Sequence, residues 1–227
     1  SGDTASVRAT YAEQLANPSG FSFQQLLSSG VTAARAKQTP DAIKLFEAAY
    51  KKNPYHRDVL YNLALMYLNG NQTEKVVPMV RELVAVDPSN GDNFRLFTFA
   101  FANIQKAHNE QIKKYNELKK NAKTPRAQKA YDDSARTFFE LAKPMTDSAL
   151  KYNSLADAFP MKVTFSEFTS ADDKTTLGGS IANNTDQSQT YTLKVDFLDM
   201  SGKVITSQTA TVGPVSGGQS GRFSVQG

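Results

Sequence analysis

Residues 23–56, FQQLLSSGVTAARAKQTPDAIKLFEAAYKKNPYH, and residues 57–90, RDVLYNLALMYLNGNQTEKVVPMVRELVAVDPSN, decide the fold. Each stretch carries a proline near its end, and Pro54 and Pro88 occupy the same place in two stretches of equal length. The first stretch places Gly30, Ala42, Phe46 and Ala49 at helical spacing, and the second places Leu60, Leu63, Ala64, Tyr67, Val76, Val80 and Leu83 so. That pattern predicts two short amphipathic helices per stretch, packed antiparallel. Gly30 and Ala64 stand where the paired helices approach most closely, and Phe46 fills the space between them. Each proline ends its second helix, because it pushes the preceding residue out of the helical region. Thr39-Pro40-Asp41 reads as an N-cap followed by proline at the first helical position, and Thr73-Glu74 starts the matching helix. Pro78, one turn inside that helix, is expected to bend it slightly.

A two-helix unit of this length, with these small and aromatic positions, resembles the tetratricopeptide repeat. Ser29 and Val76 depart from the family pattern, where a large apolar residue and Ala are usual. The resemblance implies a concave face lined by the first helix of each pair. At matching positions it names Leu27, Val31 and Ala34 in the first unit, Tyr61, Leu65, Leu68 and Asn69 in the second, and Arg95 and Phe99 at the start of a third. The carboxylate-binding variety of the family needs Lys and Asn in its first unit. This chain has Leu27 and Val31 there, which argues against that activity.

The third unit begins with Phe94, Phe97 and Phe101 and then leaves the pattern. Apolar or large residues instead recur at 97, 101, 104, 108, 112, 115 and 118, then again from Tyr131 through Phe138, Leu141 and Met145 to Tyr152. Thr124-Pro125 restarts the second run. The near-heptad spacing predicts a long antiparallel hairpin turning near 121–125, with Pro144 kinking or interrupting the returning helix. Such a hairpin caps the last repeat or mediates dimerisation.

From about Phe159 the period changes to two. Tyr191, Leu193, Val195 and Phe197 face one way and Thr192, Lys194 and Asp196 the other. Further strands are expected at 161–168, 175–183, 203–212 and 220–226, with Met200-Ser201-Gly202 as a turn. The expected fold is therefore multidomain α plus β. It has a helical segment at 1–22 and a tetratricopeptide-like solenoid at 23–158 that includes the hairpin at 91–155. A small antiparallel β-sandwich follows at 159–227. The motifs Gly179-Ser180-Ile181-Ala182-Asn183-Asn184-Thr185 and Val195-Asp196-Phe197-Leu198-Asp199 resemble the FxLYD-type immunoglobulin-like domains of bacterial exported proteins, with Leu198 in place of the usual Tyr. That resemblance implies a bacterial source and an envelope, periplasmic or secreted location, and no chemistry. The absence of an initial Met is consistent with a removed targeting segment.

Composition narrows the chemistry. With 14 Phe, 9 Tyr and no Trp, the aromatics are the core formers. There is no Cys, so disulfides, thiolate catalysis and cysteine metal sites are excluded. No apolar run approaches the roughly 18 residues of a membrane span. Residues 1–159 hold 21 Lys/Arg against 16 Asp/Glu, a mild bias that does not point to nucleic acid. His56 lies in an inter-repeat turn and His108 on the inward stripe of the long helix, neither at metal-ligand spacing. The pairs Asp132-Asp133 and Asp172-Asp173 diverge from each other as sequence neighbours do, so they make no acid/base couple. No phosphate-binding loop or nucleophile elbow appears. No catalytic residue, metal or cofactor is expected. Asn71 and Asn183 match the glycosylation pattern.

The sequence thus reads as a non-enzymatic interaction scaffold whose trough at Leu27, Val31, Tyr61, Leu65, Leu68, Asn69, Arg95 and Phe99 takes an apolar partner segment, with Arg95 meeting an acid on it. Internal filling by Val7, Tyr11 and Leu15 is the competing expectation for that trough. Two other functions stay open: a self-assembling structural subunit, and an enzyme or carbohydrate-binding protein with a polar site at the domain junction near Phe159. Oligomeric state stays open too.

Overall fold

The computed structural model describes residues 2–171, 174–199 and 201–227. Met200 of the expected turn and the pair Asp172-Asp173 lie outside the described residues. The chain begins with two short helices, α1 (Gly2–Ala9) and α2 (Ala12–Ala16). Two helix pairs follow: α3 (Phe23–Arg35) with α4 (Thr39–Lys52), and α5 (Arg57–Asn69) with α6 (Thr73–Val86). Helices α7 (Gly91–Asn121) and α8 (Pro125–Asp157) form a long hairpin.

The repeat is present in the backbone itself. Lys37 and Asn71, equivalent positions in the two units, both adopt positive φ, 58° and 56°. In each pair the same cap closes the first helix: Gln38 N–H donates to the Ala33 carbonyl and Gln72 N–H to the Tyr67 carbonyl, both at 2.9 Å. Asn53 and Asp87, the residues before the two prolines, leave the helical region at ψ 89° and 70° and end α4 and α6. The expected Thr39 cap lies one residue off, because Thr39 is already helical and Gln38 occupies the cap without a side-chain bond.

Packing follows from these turns. Gly30 lets the Phe46 ring lie against the α3 backbone; a methyl there would stand 2.5 Å from its Cε1. Helix α5 buries Val59, Leu60, Leu63, Ala64, Met66, Tyr67 and Leu68, an almost continuous apolar surface, because neighbours flank it on both sides. The Tyr50 hydroxyl donates to Glu82 at 2.6 Å, tying α4 to α6. The N-terminal segment packs on the first pair, where Tyr11 is 1% exposed and Arg8 meets Asp41 at 2.8 Å. It closes the open end of the array, as an exposed solenoid terminus requires.

The hairpin is an aromatic seam. Tyr152 stacks on Phe97 at 4.4 Å and on Phe101 at 5.7 Å, and Tyr115 stacks on Phe138 at 5.8 Å. His108 lies 5.7 Å from Phe138, half-buried in that seam. Thr124 caps α8 by accepting from Ala127 N–H at 3.2 Å. Of the two outcomes expected at Pro144, interruption does not occur: α8 continues through it. It lies on the solvent side, where the Glu140 carbonyl it leaves unpaired is within reach of water.

Among the described residues, five antiparallel strands form two sheets: β1 (Met161–Ala171), β2 (Lys174–Asn183) and β5 (Ser220–Gln226) in the order β1-β2-β5, and the hairpin β3 (Gln189–Leu198) with β4 (Val204–Val215). Val163, Ile181, Val212, Val215 and Phe223 make the core between them. Asn183 pins the loop after β2, its amide donating to the carbonyls of Gln187 (2.7 Å) and Val215 (2.9 Å). That amide is buried and committed, which removes it as a glycosylation acceptor.

Candidate functional site

The first helices of the pairs stand in the order α3, α5, α7, each packed beside the next. Their inner residues divide into three groups. Leu27, Val31, Tyr61 and Leu65 are half-buried and rest on the helical core. Phe99 is 55% exposed and Asn69 is exposed. Leu68, expected on the trough, is instead buried in the core at 8%, because it lies on the flank of α5 that meets its neighbours. Arg95 does not wait for an external acid. It pairs with Asp157 of α8 at 2.9 Å and approaches Asp92 at 3.7 Å.

One end of this face is met by the sandwich. The β1 strand runs past the starts of α7, α5 and α3 in turn. Lys162 pairs with Asp92 at 2.7 Å, and the Asn90 amide donates to the Val163 carbonyl at 3.1 Å. The Arg57 guanidinium lies 4.9 Å over the Tyr61 ring and 5.6 Å from the Phe165 ring. Phe168 meets His56 edge-on at 4.7 Å, and His56 also packs on Phe23 at 4.8 Å. The Tyr55 hydroxyl donates to the Ser201 carbonyl at 3.1 Å, adding the end of the β3–β4 hairpin to the joint. β1 thus adds an internal contact at the Tyr61 end of the face, while Val7, Tyr11 and Leu15 pack in the helical core with α1 against α3.

A buried polar cluster supports the joint. Asp87, 6% exposed, accepts from Arg57 Nε at 3.1 Å, from Asn93 Nδ2 at 2.9 Å and from Asn90 Nδ2 at 3.4 Å. Asn90 also caps α7, accepting from Asp92 N–H at 3.1 Å. One short run therefore ends α6, starts α7 and holds β1. The polar residues Asp87, Asn90 and Asn93 recur every third position between apolar helices, which is the signal that sequence reading passed over.

Between Leu27 and β1 lies a cleft of about 200 Å3 lined by Gln24, Leu27, His56, Asp58 and residues Phe165 to Phe168. It is not the deep polar pocket near Phe159 that would favour an enzyme or sugar-binding protein. Phe159 itself packs on Phe94 at 5.4 Å. Among the described residues no three His, Asp or Glu side chains are placed to hold a metal, and no helix is long and apolar enough to cross a membrane.

His56 is 8% exposed and its Nδ1 has no partner. Burial lowers its pKa below the ordinary 6.5; Asp58 opposes that shift and Arg57 adds to it. The neutral ring is therefore the one the joint accommodates. Its stabilising contribution is present above about pH 6.5 and is lost as pH falls below it. Between pH 7.5 and 5.5 the wild type is expected to lose more melting temperature than His56→Phe, which keeps the aromatic packing without a titrating group. Equal losses in the two proteins would remove His56 from the account.

The paired caps, the repeat spacing and the Gly30–Phe46 contact fix the comparison. Residues 33–95 match the tetratricopeptide repeat family. No curated protein matches the chain. Among solved structures, "MamA MSR-1 C2" is similar at 18% identity and a TM-score of 0.37, covering 67% of this chain and 93% of that one. "MamA 41-end from Desulfovibrio magneticus RS-1" is similar at 18% identity and a TM-score of 0.35, covering 56% and 77%. The matched residues run from the end of α3 through α4, α5 and α6 into the first part of α7, and the sandwich docks across the starts of α3, α5 and α7.

Proposed function

We propose that this chain is a non-enzymatic protein-interaction scaffold whose tetratricopeptide array takes an apolar segment of a partner protein along Val31, Leu65 and Phe99, with Leu27 and Tyr61 at the sandwich end. The observation that carries this reading is Phe99, a large aromatic 55% exposed on the helix that continues the inner row of α3 and α5. Exposed aromatics of this kind anchor interfaces. The sandwich holds one end of the row and leaves Phe99 uncovered, so the partner segment enters from the α7 side. Arg95, already neutralised by two carboxylates, does not select an acidic partner.

The FxLYD-like motifs around Gly179 and Val195 support a bacterial protein of the envelope, periplasm or secreted space, and make extracts of that compartment the place to search.

The test is capture of partners from source-cell envelope extract on immobilised wild type, Phe99→Ser and Leu65→Ser. Phe99→Ser is expected to leave the melting temperature within roughly 2 °C, as exposed positions do, and to remove the captured protein. Leu65→Ser weakens capture at some cost in stability. Capture by Phe99→Ser equal to that by wild type would end the proposal.

A further inference from the structure

The hairpin end concentrates the charge of the whole molecule. Residues 113–133, which fold to the hairpin's end, hold seven Lys/Arg against Glu117, Asp132 and Asp133, a net charge of +4. The rest of the chain holds 19 basic and 19 acidic side chains, a net charge of zero. Folding brings the seven together. Lys113, Lys114, Lys119 and Lys120 occupy the last turns of α7, Lys123 the connection, and Arg126 and Lys129 the first turns of α8. All seven are exposed. At 1.5 Å per helical residue they fall within about 12 Å of the hairpin's end. Among the described residues only two have a carboxylate partner: Lys119 meets Asp132 and Lys120 meets Glu117, both at 2.6 Å. An open concavity of about 630 Å3 gathers Lys113, Lys119 and Lys120 with the amides of Asn116 and Gln128 and the Glu117 carboxylate, which is paired with Lys120.

We propose that this hairpin end docks on an anionic phospholipid surface. The cations surround a projecting end instead of lining one helix face. A groove or a duplex would reach one side of such an end, whereas a flat anionic surface meets the whole ring at once. Lysine supplies six of the seven charges, the compact type that suits clustered phosphates without bidentate geometry. Leu118, 38% exposed among them, offers an aliphatic side chain to the headgroup boundary. No aromatic is presented for base stacking: Tyr115 is held in the seam between Tyr131 and Phe138. The attraction is electrostatic, so it falls as salt shortens the screening length. It is independent of the trough, which lies at the other end of α7.

The test is co-sedimentation of the full chain with vesicles of phosphatidylcholine alone and with about 30 mol% phosphatidylglycerol. Binding is expected only to the anionic vesicles at about 0.1 M salt, and is lost at about 0.5 M. The quadruple variant Lys113→Gln, Lys123→Gln, Arg126→Gln, Lys129→Gln, which leaves both ion pairs intact, is expected to lose at least tenfold in partition. A control with the same change of net charge, Lys44→Gln, Lys51→Gln, Arg81→Gln, Lys143→Gln, keeps wild-type partition. Helical circular dichroism establishes that both fold. Absence of binding to anionic vesicles overturns the proposal. So does equal binding to neutral vesicles, an equal loss in the control, or retention by the vesicles only when bridged by added duplex DNA.

Discussion

Asp87→Ala is expected to lower stability by about 3 kcal/mol, the scale for removing one partner of a buried, hydrogen-bonded ion pair. For a chain of this length that corresponds to a fall of roughly 6–12 °C in melting temperature. The carboxylate accepts from Arg57, Asn90 and Asn93. Its loss leaves a guanidinium and two amides under the sandwich with one acceptor fewer, and Asn90 and Asn93 are only 1% and 0% exposed. Stranding such groups costs more than the bonds contributed, because water cannot reach them. Asp87→Asn keeps an acceptor and is expected to cost less than Asp87→Ala. The Asn90 bond to the Val163 carbonyl depends on the same cluster, so Asp87→Ala is also expected to increase protease cleavage between residues 157 and 161. Thermal unfolding and limited proteolysis check both outcomes. A loss under about 1 kcal/mol would mean that the cluster is solvated in solution and does not fasten the joint.

Gly30→Ala is expected to destabilise by about 1–3 kcal/mol, the range for forcing an extra methyl into a packed core. On helix propensity alone the change would stabilise by about 1 kcal/mol, so the sign discriminates. The new methyl would meet Phe46 Cε1 at 2.5 Å and Cδ1 at 2.7 Å, and that ring is 0% exposed. Phe46→Leu removes the ring edge. The double variant is expected to be more stable than the sum of the two single losses allows, since contacting sites couple. Denaturant unfolding of the four proteins measures the coupling. A stabilised Gly30→Ala would show that α3 and α4 stand further apart than described.

Much of the helical part was legible because its signals are local. Each is settled within a few residues: a proline ending a helix, a small residue opposite an aromatic, an apolar side chain recurring every three or four positions. Their recurrence in the second unit then sets the pairing. Leu68 and Arg95 show the limit of carrying positions across a family. Leu27, Val31, Tyr61 and Leu65 are half-buried, but the side of α5 that Leu68 takes depends on neighbours that no local pattern names. Arg95 finds Asp157, remote in sequence, only when α8 returns along α7.

By itself the sequence determined the helix pairs, the hairpin with its turn and the alternating strands, since hydrophobic period and backbone stereochemistry act over one or two turns. Only the tertiary structure decided where the sandwich sits: Phe165 reaches Arg57 and Phe168 reaches His56 across the whole intervening hairpin. Alternation says which face of a strand is apolar, and nothing about which surface will cover it. The same holds for charge. Seven cations spread along 113–129 become one ring only because α7 and α8 fold back on each other, and a linear count does not contain that geometry.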